Sequence, residues 1–192
     1  MIMPAHYAVS EALVALMSAW TGAVLIRRDQ RLAAAGVALF GLAALIGTVR
    51  FSTGLVEPLA QVHRLASQTG GLLGFLLLLM ALASPAGLSV RPWVAALGLV
   101  VLLGLTAGLP MVGPFIVVAA LVAGAGLAAA APGRPAERIA AAVAYGLMLP
   151  DVLIVRNAHW LDPAVRWHVY HAVIALWLAL LPFCLGRRPR PH

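Results

Sequence analysis

The sequence predicts an all-α integral membrane protein: a bundle of seven transmembrane helices with its N-terminus outside and its C-terminus cytoplasmic. Three observations predict it. The 192 residues are 63% apolar and only 10% charged, with a mean hydropathy of +1.00; a water-soluble domain this small leaves too much of its surface wet to hide that many apolar side chains. Apolar segments of spanning length recur along the whole chain. The arginines, finally, are divided unequally between alternate connections.

A span takes about 20 residues, so seven spans take about 140 and leave roughly 50 for all loops and tails. One membrane domain covering 1–192 is therefore expected, with no extramembrane domain, and Met1 to Ser10 lacks the basic stretch that opens a signal peptide.

The first span, 8–26, is closed by Arg27-Arg28-Asp29-Gln30-Arg31. The second is 32–50, and the third, 65–84, ends at Ser84-Pro85-Ala86-Gly87. Residues 92–131 are almost continuously apolar, and one helix of that length would run to about 60 Å. Gly108-Leu109-Pro110 is expected to break the stretch into a fourth span, 92–109, and a fifth, 111–131, which stops at Pro132-Gly133-Arg134-Pro135. The sixth and seventh are 138–156 and 166–185. With the N-terminus outside, the inner loops and tail hold Arg27, Arg28, Arg31, Arg91, Arg134, Arg138, Arg187, Arg188 and Arg190, against Arg50, Arg64, Arg156 and Arg166 outside. That bias marks the cytoplasmic side and requires an odd number of spans. Gly70-x-x-x-Gly74 and Gly104-x-x-x-Gly108 are spaced for close helix packing in lipid.

Composition excludes several functions. All 13 basic residues are arginine, so no lysine is present to form a retinal Schiff base or act as an amine nucleophile. Cys184 is alone, which excludes an intrachain disulfide and a CxxC pair. The net charge of +7 lies in short loops and sets topology rather than binding nucleic acid; the expected partner is membrane lipid. The Arg-only, Ala/Gly/Leu-rich usage points to a bacterial inner (plasma) membrane.

The other ionisable groups fall on one side of this topology. His6, Glu11, Glu57, His63, Asp151, His159, Asp162, His168 and His171 all belong to the outer third; Asp29, Glu137 and His192 do not. A carboxylate at mid-bilayer costs about 2.5–3.5 kcal/mol and is kept for a partner or a function, so Glu11 and Asp151 are candidate catalytic groups. Each could instead pair with Arg50. His168 and His171, three apart on a helix, lie on nearly one face and could share a metal ion; beside Trp160 and Trp167 they could equally be interfacial anchors. His63 and His159 complete the candidate metal ligands. Pro150 would open the helix next to Asp151 and free a carbonyl. Thr48, Arg50, Ser52 and Gln68 are candidate linings of a polar pocket.

This layout resembles the seven-helix superfamily of alkaline ceramidases, progestin/adiponectin receptors and Per1-type lipid-remodelling proteins. Ser10-Glu11 stands where that family has its helix 1 glutamate, Ile46-Gly47-Thr48-Val49-Arg50-Phe51-Ser52 resembles the end of its helix 2, and Trp167-His168-Val169-Tyr170-His171 the start of its helix 7. Thr48 stands for the family's serine, Ser52 for its helix 2 histidine and Trp167 for the first histidine of HxxxH; His171 alone matches a zinc ligand, and Gln68 and Thr69 are nearest to its helix 3 aspartate. The resemblance implies a zinc-dependent hydrolase of lipid amides or esters, with His171, His168 and either His63 or His159 on zinc and Glu11 or Asp151 orienting a ligand or taking a proton.

Two other classes fit the residues. His63-Arg64 opens a helix of small residues (Ala66, Gly70, Gly71, Gly74) that would admit haem, with His63 and His168 or His171 as axial ligands, or a quinone in an electron-transfer protein. A noncatalytic transporter or receptor-like relative would use the same cluster for binding alone, with Pro110, Pro114 and Pro150 as helix breaks.

Overall fold

A computed structural model of the chain describes residues 5–83, 96, 98–100, 103–104, 109–130 and 135–185. Regular structure among them is entirely helical. The helices are α1 (Tyr7–Arg27), α2 (Arg31–Ser52), α3 (Ala60–Ala83), α4 (Leu109–Ala130), α5 (Pro135–Pro150, running on through Asp151–Val155) and α6 (Pro163–Cys184). Each contains a stretch long and apolar enough to cross a membrane. The protein is thus an all-α, membrane-type helical bundle. Most of the expected fourth span, 92–109, lies outside the described residues, as do Gly108, Arg91, Arg134, Arg187, Arg188 and Arg190.

Expected and observed spans differ mainly at their polar ends. The third helix begins at Ala60 rather than at 65, because Gln61, His63 and Arg64 lower the local hydropathy without breaking the helix. The last begins at Pro163: Asp162 caps it, its Oδ1 accepting from the backbone N–H groups of Ala164 (2.8 Å) and Val165 (3.2 Å), while Pro163 takes the first position, where a missing N–H costs nothing.

The helices form a ring in which each packs on the next and α6 returns to α1. α1 shows how the sequence achieves this. Its buried residues Tyr7, Glu11, Val14, Ser18, Thr21 and Leu25 recur at alternating spacings of four and three, which is one helix face. Polar groups sit on that inner stripe, while Val9, Leu16, Trp20 and Ile26 are exposed. An apolar exterior around a partly polar interior is the arrangement lipid demands, since lipid tails give apolar side chains no reason to hide.

Small groups and carbonyl acceptors then fix the helix pairs. α2 and α3 meet where Gly36 and Gly74 face each other: a Cβ on either would come within 2.8 Å of the other's carbonyl oxygen. Thr21 Oγ1 donates to the Leu178 carbonyl (2.8 Å), joining α1 to α6. At the far end Arg28 and Gln30 donate to the carbonyls of Pro182 and Leu185 at the end of α6. Mid-bundle, the fully buried Trp177 ring lies against Phe75 (5.2 Å), Phe40 (5.4 Å) and Tyr145 (6.2 Å).

Among the described residues two helices contain a wide π turn, Ala66–Gly70 in α3 and Asp151–Val155 at the end of α5. The second follows Pro150, whose ring nitrogen cannot donate, and is marked by the Arg156 N–H donating to the Asp151 carbonyl five residues back (2.9 Å). Both turns lie toward the end of the bundle where α1 begins, and that end holds the candidate site.

Candidate functional site

Glu11 lies on the inner stripe of α1, one turn from its start, and is 2% exposed. Its Oε1 is 3.2 Å from Nε2 of His63, near the start of α3, and 3.3 Å from Nε2 of His171, on the third turn of α6. Both rings are buried. The contacts are of ion-pair length rather than aligned hydrogen bonds. Gly47 on α2 makes the meeting possible: a Cβ there would lie 2.6 Å from Oε1 and 2.8 Å from His63 Nε2. Elements from the first half of the chain and from its last helix thus converge on one carboxylate oxygen.

Hydrogen bonds assign the ring protons. The only acceptor capacity in the Arg50–His63 contact (3.3 Å) is His63 Nδ1, because a guanidinium cannot accept. Neutral His63 therefore carries its hydrogen on Nε2, facing Glu11. His171 is the reverse: its Nδ1–H donates to the Trp167 carbonyl (2.8 Å), and its ring stacks on the Trp167 indole at 4.4 Å. His171 Nε2 then faces the carboxylate either as a lone pair or as a second N–H.

Arg50 pairs with neither acid. Its Nε donates to the Val56 carbonyl (2.7 Å), and its guanidinium lies over the Phe51 ring, 5.0 Å from the centroid. Asp151 is 1% exposed, and both of its carboxylate oxygens lack a hydrogen-bond partner among the described residues.

The cluster forms part of the wall of a cavity of about 610 Å3 that runs from this end of the bundle down to Phe40 and Phe75. Arg50 and Gln68 line it together with Glu11, His63 and His171. Thr48 and Ser52 do not: each hydroxyl donates to its own helix, to the carbonyls of Ala44 (2.8 Å) and Val49 (3.4 Å). His159 is exposed in the connection before α6, with Nδ1 3.4 Å from Arg166. His168 shares a helix with His171 but takes other partners. Its Nδ1–H donates to Ser10 Oγ (3.0 Å), which itself donates to the Tyr7 carbonyl (3.2 Å), and its Nε2 accepts from His6 Nδ1 (2.8 Å). The two rings therefore serve separate networks.

The expected zinc does not fit these donors. Among the described residues no three His, Cys, Asp or Glu side chains converge as metal ligands. The chemistry of the set explains why: a histidine ligating through Nε2 keeps its hydrogen on Nδ1, and Arg50 already points a donor at that nitrogen of His63. The haem arrangement fares no better, since the His63 and His171 rings close on one carboxylate oxygen instead of on opposite faces of a macrocycle.

Sequence reading missed Gly47 as a site residue, although its lack of a side chain lies within a motif already in view. It also missed Trp167 as the group that orients His171, for which the i, i+4 spacing was the available signal. Comparison with family models, curated proteins and solved structures finds no match for this chain.

Proposed function

We propose that the chain is a seven-span membrane protein, N-terminus outside, that binds a lipid-like molecule in the cavity and hydrolyses an ester or amide bond in it by metal-free acid–base chemistry at Glu11 and His171. The observation that carries this reading is a buried carboxylate oxygen 3.3 Å from an imidazole nitrogen at the wall of a cavity whose deeper half is apolar. Such a pair can take a proton from water as the oxygen attacks a carbonyl carbon, and can return it to the leaving alcohol or amine as the acyl bond breaks. His63, held by Arg50, turns an N–H toward the carboxylate and keeps it in place. In the hydrolases the sequence resembles, the early glutamate and the last histidine correspond to Glu11 and His171, the two side chains that meet here.

Seven spans are favoured by chain direction. α3 runs away from the site end to Ala83, and α4, which begins at Leu109, starts near the site end again. The arginine bias then puts the site on the outer side, of the inner membrane if the source is bacterial.

The test is hydrolysis of short-chain lipid esters and amides by protein in phosphatidylcholine nanodiscs. Glu11→Gln and His171→Asn should each lower the rate at least about 100-fold with the bundle intact by circular dichroism. Unchanged turnover in both variants would remove the catalytic reading.

A further inference from the structure

The substrate class of the site can be narrowed, an inference that rests on the reading above. Of the arginines in the described residues, those at the site end are Arg50, Arg64, Arg156 and Arg166, and all four line the same cavity. They come from two helix ends and two helix starts: the end of α2, the beginning of α3, the residue after α5 and the first turn of α6. Glu11, already engaged by two imidazoles, is the only carboxylate among the lining residues. Among the described residues the one arginine–carboxylate pair is Arg31 with Asp29, at the opposite end. The four guanidiniums thus bring positive charge to the cavity, and among the described residues none of them is in an ion pair with a carboxylate.

Topology sharpens the point. Arginine is disfavoured on the outer side of a membrane protein, and these four are the same residues that the sequence sets against the bias. Each stands where it lines the cavity. Below them the lining turns apolar, with Val14, Phe40, Leu72, Phe75 and Ile174, down to the packed Trp177. Planar guanidiniums with several donors each suit phosphate and carboxylate oxygens, and the volume is within the roughly 300–1,000 Å3 range of small-ligand sites.

We infer that the cavity selects an amphiphile with an anionic head, a phosphate or a carboxylate, held by Arg50, Arg64, Arg156 and Arg166 with its chain directed toward Phe40 and Phe75. Neutral lipids are poor ligands, and the scissile acyl bond sits below the head, level with Glu11 and His171.

The test is calorimetric binding to the full chain in phosphatidylcholine nanodiscs, using dihexanoyl phosphatidate, decanoate, dihexanoyl phosphatidylcholine and inorganic phosphate as probes. Saturable binding of phosphatidate or decanoate, at least about tenfold tighter than that of the phosphatidylcholine, is expected. Arg64→Gln and Arg166→Gln should each weaken it about tenfold, the loss of one charge-assisted hydrogen bond, while Arg27→Gln at the other end should leave it unchanged. Equal affinity for phosphatidylcholine overturns the inference, as does inorganic phosphate binding as tightly as the tailed probes. Head-group discrimination by the unmodified chain keeps the test decisive if an arginine variant misfolds. The unmodified chain separates the two readings: anion-selective binding without hydrolysis removes the catalytic reading alone, and hydrolysis without anion selectivity removes this inference alone.

Discussion

Oε1 of Glu11 lies 3.3 Å from Nε2 of His171, joining the first helix of the bundle to its last inside a space bounded on a third side by Gly47. The pair is held from behind. Trp167 fixes the His171 ring by stacking and by accepting its Nδ1–H, and Arg50 fixes His63. A carboxylate held inside a membrane-type bundle by two oriented imidazoles is costly to bury, and it is retained at a cavity wall.

Gly47→Ala tests whether that space matters. The added methyl would fall 2.6 Å from Oε1, so Glu11 or His63 must move. The expected outcome is loss of most hydrolytic activity, with destabilisation of about 1–3 kcal/mol, typical of overpacking, and no loss of helix content by circular dichroism.

Arg50→Met tests the assignment of the ring protons. Without the guanidinium, His63 becomes free to carry its hydrogen on Nδ1. Ring nitrogen shifts in 15N spectra should report mainly the Nε2–H form of His63 in the unmodified chain and a gain of the Nδ1–H form in the variant. Elemental analysis of the same samples should find less than one zinc per unmodified chain; stoichiometric zinc lost in His171→Ala would contradict the account of His63.

Asp162→Ala removes the cap of α6. The cost should be about 1 kcal/mol. Hydrogen exchange should quicken first at Ala164 and Val165, the residues whose N–H groups Asp162 accepts.

Thr21→Val removes a bond between helices without changing shape much. Destabilisation of about 0.6 kcal/mol, and no more than about 1.7, is expected in an unfolding titration, in line with hydrogen bonds inside other membrane bundles. Hydrolysis should be unaffected, since Thr21 lies toward the other end.

How much was legible in the sequence depends on range. Helix positions were readable because lipid imposes length and hydropathy locally; Ala60–Leu65 escaped because its polar residues look like a loop to a hydropathy window. Glu11, His63 and His171 stood out as costly groups. Their mutual contact did not, since it depends on which faces of α1, α3 and α6 meet in the ring. Thr48 and Ser52 mislead for the opposite reason: their hydroxyls can be satisfied within one helical turn, so polarity there implies no site. His168 and His171 share a helix face in projection, yet α1 presents Ser10 and Glu11 in sequence and draws the two rings to different partners.

The wide turn at Ala66–Gly70 makes α3 behave like a shaft with an angular offset. It places one extra residue between His63, which must meet Glu11, and Gly74, which must lie against Gly36. In a regular helix each residue adds about 100° of rotation, so drawing the turn in to regular α geometry with all its residues kept would swing His63 out of the site while Gly74 stays engaged with α2. Chemistry at one end of this helix and anchorage at its middle are therefore on separate dials, and evolution can reset the first without loosening the second.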